Sequence, residues 1–233
     1  MRQGNATKES GLRAVLFDLD GTLVDSAPDL LVAVNRLLTD VSAAPLSLSV
    51  FRPIVSKGAR AMLALAFPDL APEKRERLVP SLLEHYAAAI ADHSEAFDGI
   101  QSLLHRIERA GLRWGIVTNK PEGLARQVVH AMGWTDRCAI VIGGDTLAAK
   151  KPDPAQLLHA CAALKTTPER SVYVGDDERD VQAARAAGMP SIIALWGYRE
   201  AHDDPSKWGA DRSIAHPLEL CFELADGIGR DKY

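Results

Sequence analysis

The 233-residue chain has little of what marks a disulfide-stapled, zinc-binding or membrane protein. Its three cysteines, Cys138, Cys161 and Cys221, are scattered and odd in number, without CxxC or Cys/His spacing. This excludes a disulfide framework and a zinc ribbon, and predicts buried, reduced thiols in a cytoplasmic protein. No apolar run approaches the ~18 residues that a spanning helix requires, so no membrane partner is expected. Met1–Gly11 is polar and lacks an apolar h-region, which argues against a signal peptide and predicts a disordered tail over residues 1–11. No block of Lys and Arg forms a footprint for nucleic acid. Internal repeats and low-complexity segments are also absent.

What remains is ordinary for a globular enzyme: 47% hydrophobic and 25% charged residues, with a formal net charge of −4. A chain of this length buries a core without covalent staples. Because its net charge is negative, any anionic substrate must be attracted by a few placed cations.

Short apolar runs at Arg13–Leu19, Trp114–Thr118, Ala139–Ile142, Val172–Val174 and Ser191–Leu195 read as strands buried on both faces. Helical patterns separate the last four. Asp98 is a candidate cap for a helix carrying Ile100, Leu103, Leu104 and Ile107, ended by Gly111. Pro121 and Pro154 open two more, and a fourth covers about 178–187 before Gly188. Strands alternating with single helices predict an α/β fold with a doubly wound (Rossmann-like) parallel sheet. Between the first and second strand candidates lie roughly 90 residues, too long for a crossover loop. Leu30, Val34, Leu37 and Leu38 keep helical spacing there, as do Leu78, Leu82, Leu83 and Tyr86. The expectation is an inserted all-helical cap domain over 27–96, with the core formed by 12–26 and 97–233.

Asp18-Leu19-Asp20-Gly21-Thr22 ends the first strand, where open α/β sheets bind ligands. Two carboxylates two residues apart on an extended segment point to one side, so one can attack while the other handles protons. Gly21 would let the chain turn and approach a phosphate closely. Taken alone, Asp-x-Asp is equally a turn motif. An EF-hand is excluded, since Gly21 is fourth from Asp18 and the calcium loop needs glycine sixth. Thr118-Asn119 at the second strand's tip could supply a hydroxyl and an amide, or merely cap a helix. Lys150-Lys151-Pro152 puts a cation before a proline-started helix, or on a solvated face. Gly175-Asp176-Asp177-x-x-Asp180 clusters acids after a buried strand; such acids repel unless neutralised, and hard oxygen ligands suit Mg²⁺.

Together and in this order, the four motifs resemble the haloacid-dehalogenase-like hydrolase superfamily, over Leu12 to Leu220. The resemblance implies a phosphatase with Asp18 as nucleophile and Asp20 as general acid and base, passing through an aspartyl-phosphate. Mg²⁺ would be held by Asp18, the backbone carbonyl of Asp20, and Asp176. Asp177 and Asp180 would anchor metal-bound water or orient Lys151. Thr118, Lys151 and the backbone around Leu19–Gly21 would hold the transferring oxygens, with Thr22 and Asn119 as further substrate contacts. The insertion matches the superfamily's helical cap, and Ser56-Lys57-Gly58-Ala59-Arg60 looks like its substrate loop, with Lys57, Gly58 and Arg60 binding substrate.

The pattern is close to the phosphoglycolate phosphatases. Ser56–Met62, His93-Ser94-x-x-Phe97-x-Gly99, Trp196-Gly197-Tyr198 and Trp208–Asp211 resemble more specifically the N-acetylmuramic acid 6-phosphate phosphatases of cell-wall recycling. The expected substrate is therefore a small phosphorylated metabolite, N-acetylmuramic acid 6-phosphate first and 2-phosphoglycolate second. A phosphosugar mutase would share every motif. A phosphorylatable receiver domain would lack both the cap and Asp20, and a catalytically dead relative would have lost Asp18, Asp20 or Asp176. A monomer or homodimer is expected.

Overall fold

A computed structural model of the chain describes residues 11–220. All of the expected tail over 1–11 except Gly11, the end of the core after 220, and Cys221 lie outside the described residues.

In chain order the elements are β1 (Ala14–Phe17), β2 (Val24–Asp25), α1 (Ala27–Asp40), α2 (Leu48–Phe51), α3 (Ala59–Ala66), α4 (Pro72–Glu76), α5 (Val79–Ala87), β3 (Glu95–Ala96) and α6 (Ile100–Arg109). They continue with β4 (Arg113–Val117), α7 (Glu122–Ala131), β5 (Val141–Ile142), α8 (Ala155–Ala163), β6 (Ser171–Gly175), α9 (Glu178–Ala187), β7 (Ser191–Ala194) and β8 (Arg212–Ile214). Six strands form a parallel sheet in the order β5-β4-β1-β6-β7-β8. All four residues of β1 are buried, as a strand covered by helices on both faces requires. The chain leaves β1 toward β4 and β5, then returns to β6 on the other side. The switch point therefore lies beside β1, whose Phe17 is in register with Ile116 of β4 and Val174 of β6. This register brings the residues that follow the three strands to one crevice.

Helix faces follow the sequence spacing. Leu30, Ala33, Val34, Leu37 and Leu38 form the buried stripe of α1, and Ile100, Leu103, Leu104 and Ile107 that of α6. Phe51, Met62, Leu63, Leu82 and Tyr86 close on the α1 stripe in a cluster of their own, which Tyr198 of the core joins. The segment between β1 and β4 differs from an all-helical expectation in one respect. Val24–Asp25 and Glu95–Ala96 pair antiparallel where the chain enters and leaves the helices. Two residues per strand are too few to produce a readable alternation. The edge strand β8 also escaped the pattern, because only Ile214 of its three residues is buried. Gly99, rather than Asp98, stands at the N-cap of α6, in a left-handed conformation.

Two of the branch-like stretches, around Ser94 and Trp208, act in packing. The buried Asp29 carboxylate accepts from the backbone N–H groups of His93 and Ser94, each at 2.9 Å, and from the Ser94 hydroxyl. Trp208 packs on Val181 and Ile193. Among the described residues Cys138 and Cys161 are free thiols, half-buried and buried. Burial raises the pKa of Cys138 to about 11, which keeps it protonated. No helix among the described residues is long and apolar enough to cross a membrane.

Candidate active site

The carboxyl ends of β1, β4 and β6 deliver Asp18, Thr118 and Asp176. Carboxylate oxygens of Asp18, Asp176 and Asp180 all lie within 4.8 Å of one another, and all three side chains are buried. Lys151 inserts its ammonium among them, 3.0 Å from Asp18 Oδ1 and 2.7 Å from Asp180 Oδ1. Its Nζ also donates to Tyr173 Oη (2.7 Å) and to the Val117 carbonyl (3.1 Å). Burial works against the Lys151 charge, yet Asp18 and Asp180 outweigh it and the pKa rises. The carboxyl of Asp180 is pushed up to about 6, chiefly by burial, with Lys151 opposing and Asp18 adding to the rise. Asp176 is held well above the ordinary carboxylate range by burial and by the charges of Asp18 and Asp180. Three buried acids around one buried ammonium leave an excess of negative charge that a hard divalent cation would neutralise.

Asp176 is also prepared as a ligand. An ionised carboxylate offers about four acceptor positions. Thr22 Oγ1 donates to Oδ1 at 2.9 Å, while Ser56 Oγ and the Tyr198 backbone N–H donate to Oδ2 at 2.7 and 2.9 Å. These three bonds leave one position, on Oδ1. Gly21 and Gly197 make the approach possible: a Cβ on Gly21 would stand 2.3 Å from Asp176 Oδ2, and one on Gly197 2.2 Å from Asp176 Cβ. Gly21 also has φ +86, in the left-handed region that favours glycine. These residues fit a bound Mg²⁺ by their oxygen chemistry.

The positions of several expected site residues differ in kind. Thr22, expected to meet the substrate, is fully buried and serves Asp176 instead. The close approach that Gly21 allows is to Asp176 and Tyr198. Asp177 caps α9 in a capping box with Asp180: its Oδ1 accepts from the Arg179 backbone N–H at 3.0 Å, and Asp180 Oδ2 from the Asp177 backbone N–H. Its other oxygen accepts from Lys57 Nζ at 3.1 Å. Lys57 further meets Asp203 at 3.2 Å, so this cation fastens the helical insertion to the core. Burial lowers and Asp177 raises its pKa, with a net rise. Arg60 lies at the cavity edge, mostly exposed, and forms a two-pronged pair with Glu76 at 2.7 and 2.6 Å. Asn119 donates from Nδ2 to the Lys151 carbonyl at 3.0 Å, and its Oδ1 is buried without a hydrogen-bond partner among the described residues.

Asp20 turns away from the buried trio. Its Oδ1 accepts from Ser26 Oγ at 2.6 Å, and Lys120 Nζ donates to both its oxygens, at 2.9 and 3.1 Å. Lys120 is a functional candidate that sequence reasoning missed. Its one signal was its place directly after Thr118-Asn119, and nothing local distinguishes it from a surface lysine. The ammonium donates in addition to Tyr86 Oη of α5 at 2.8 Å. Burial lowers its pKa, and Asp20 more than offsets this, leaving it raised. Tyr198 was also outside the expected site. Its hydroxyl donates to Asp25 Oδ1 at 2.7 Å and accepts from the Ala27 backbone N–H at 3.0 Å, pinning the start of α1.

Above Asp18 lies a cavity of about 480 Å³. Its floor is Asp18, Asp20, Thr118 and Lys151; Leu30, Val55, Met62, Val79 and Leu83 form an apolar wall from the insertion, and Gly58 lies in its lining. The Thr118 hydroxyl accepts only a long contact from the Lys120 backbone N–H, at 3.3 Å, so its proton is free to donate. Lys150 also lines the cavity, and its charge acts on Glu76, the partner of Arg60.

The haloacid dehalogenase-like hydrolase family model matches residues 15–194. A phosphoglycolate phosphatase of Xanthomonas campestris pv. campestris is 54% identical over 208 residues, covering 89% of this chain and 94% of its own. An N-acetylmuramic acid 6-phosphate phosphatase of Pseudomonas putida is 41% identical over 210 residues, with 90% and 94% covered. In fold, the crystal structure of a predicted phosphoglycolate phosphatase from Haemophilus somnus superposes with a TM-score of 0.80 at 24% identity, over 89% of this chain and 96% of that one.

Proposed function

Starting from the fact that this chain belongs to the haloacid dehalogenase-like hydrolases and is a phosphoric monoester hydrolase, we propose that it removes phosphate from a carboxylate-bearing sugar phosphate, N-acetylmuramic acid 6-phosphate. The observation that carries this choice is the cavity. A two-carbon leaving group leaves most of its 480 Å³ and its apolar wall unused, whereas a ring with acetamido and lactyl groups fills them. Lys150, in the cavity lining, is the cation for the substrate carboxylate, and Arg60 beside it would have to leave Glu76 to take part. The second reading is 2-phosphoglycolate, favoured by the name of the relative that is 54% identical.

In the proposed reaction, an Asp18 carboxylate oxygen attacks phosphorus and the bond to the leaving alcohol breaks. Asp20 gives that oxygen its proton. Thr118, the backbone N–H groups about Leu19–Gly21 and Lys151 hold the equatorial oxygens, where negative charge concentrates in the transition state. Water then attacks the aspartyl-phosphate, and Asp20 takes the proton back. Mg²⁺, held by Asp18, the Asp20 carbonyl and Asp176, would reduce the repulsion between a carboxylate and a phosphate dianion. Asp180 is left to hold Lys151, at 2.7 Å. The helices between β2 and β3 act as a cap over the substrate.

The test is phosphate release from N-acetylmuramic acid 6-phosphate and 2-phosphoglycolate under Mg²⁺, with Asp18→Asn as control. The proposal expects the larger kcat/KM for the sugar. A larger value for phosphoglycolate would overturn it in favour of the second reading.

A further inference from the structure

Ser56 and Lys57 close a short 3₁₀ turn of the insertion, Arg52–Lys57, that leads into α3. Both reach the loop after β6. Ser56 Oγ donates to Asp176 Oδ2 at 2.7 Å, Lys57 Nζ donates to Asp177 Oδ2 at 3.1 Å, and the Arg179 guanidinium donates to the Ser56 carbonyl. These contacts differ in what they touch. Among the described residues, Lys57 and Arg179 hydrogen-bond no member of the buried trio, whereas Ser56 bonds the trio's Asp176. Of the three donors to that carboxylate, Thr22 and Tyr198 belong to the core and Ser56 to the insertion. Val55, directly before Ser56, is buried in the insertion's own apolar cluster, so the hydroxyl is carried by that layer. On the core side Oδ2 is enclosed: a Cβ on Gly21 or Gly197 would stand 2.3 or 2.6 Å from it.

From this geometry we propose that Ser56 is a positioning residue for Asp176 and that it couples Mg²⁺ binding to docking of the insertion on the core. The inference rests on the reading that Asp176 holds the ion. A carboxylate that ligates a metal must give up rotation about its last bond. Donors on both oxygens fix its plane in advance and leave the open position on Oδ1. When the insertion lifts, Ser56 leaves with it, and Oδ2 keeps only the Tyr198 backbone N–H. Ser56 and the ion thus favour one orientation of the same side chain, and each strengthens the other. Linkage makes the effect reciprocal: the factor by which docking tightens Mg²⁺ binding is the factor by which Mg²⁺ stabilises the docked insertion. The insertion therefore closes most firmly over a site that already holds its metal.

The experiment uses the full chain without substrate and reads two quantities. One is the Kd of Mg²⁺ by isothermal titration calorimetry. The other is amide hydrogen exchange over 52–66, in EDTA and in saturating Mg²⁺. In wild type, Mg²⁺ should slow exchange over this segment by about tenfold, within the usual range of coupling between two sites. Ser56→Ala should raise the Kd about tenfold, the low end of what loss of a metal ligand's supporting partner costs. In the same variant the slowing by Mg²⁺ should largely vanish. Ser56→Thr, which keeps the hydroxyl, should restore both readings. A wild-type Kd in Ser56→Ala would overturn the proposal. So would equal exchange in EDTA and Mg²⁺ in the wild type, a comparison that needs no variant to fold. A raised Kd in Ser56→Ala with the slowing intact would refute the coupling. Asp176→Asn separates the two levels, since it should abolish measurable Mg²⁺ binding. If it binds the ion as wild type does, the reading of Asp176 fails; if it loses the ion while Ser56→Ala keeps it, only the Ser56 inference fails.

Discussion

Thr22→Val separates a substrate contact from a ligand support at a single position. Thr22 is fully buried, and its hydroxyl reaches only Asp176 Oδ1, at 2.9 Å. Valine has nearly the same shape, so the change removes one donor and leaves no large void. A hydrogen bond to a charged group contributes about 1.5–3 kcal/mol, and here its loss leaves Oδ1 of a buried carboxylate without a protein donor. At about 2–4 °C per kcal/mol for a domain of this size, the Tm in EDTA should fall by about 3–12 °C. Supporting partners of metal ligands, when removed, weaken metal binding by about 10–100-fold, and the Mg²⁺ concentration for half-maximal activity should rise by that factor. The assay is a Mg²⁺ titration of turnover with a thermal melt in EDTA and in Mg²⁺. KM for the phosphoester at saturating Mg²⁺ should stay near wild type. An unchanged Mg²⁺ midpoint with a raised KM would refute the reasoning and return Thr22 to the substrate.

Asp18→Asn should lower turnover by on the order of 10⁴-fold or more, as loss of a nucleophile does. The metal-free protein should melt no lower than wild type, because the change removes one like charge from beside Asp176 and Asp180. Retained activity near wild type would remove Asp18 from the chemistry. Lys57→Met should reduce kcat/KM by a similar factor, about fivefold, for the sugar phosphate and for p-nitrophenyl phosphate, since a partly exposed pair contributes about 1 kcal/mol to fastening the insertion. A loss confined to the carboxylate-bearing ester would make Lys57 a substrate contact instead.

The chain's periodicity and punctuation determined much of this protein directly. Apolar runs of strand length, the last four separated by proline-started or glycine-ended helices, specify a parallel sheet because a buried strand and an amphipathic helix have different periods. Asp18, Thr118, Lys151 and Asp176 were legible as a group because they sit at or near the ends of these elements, where the fold must gather them. What each side chain touches was decided only by tertiary structure. Thr22 and Asp177 share a motif with the nucleophile or the acid cluster, yet one supports Asp176 and the other caps α9 and holds Lys57. Arg60 and Lys57 read as free cations, but their partners Glu76, Asp177 and Asp203 lie 16 to 146 positions away. Lys120 is the clearest case. Its meaning comes from Asp20, 100 residues earlier, and from Tyr86 on another layer. Local sequence encodes secondary structure through short-range sterics and burial, whereas a buried lysine becomes part of a site only when folding removes water and leaves it those two partners.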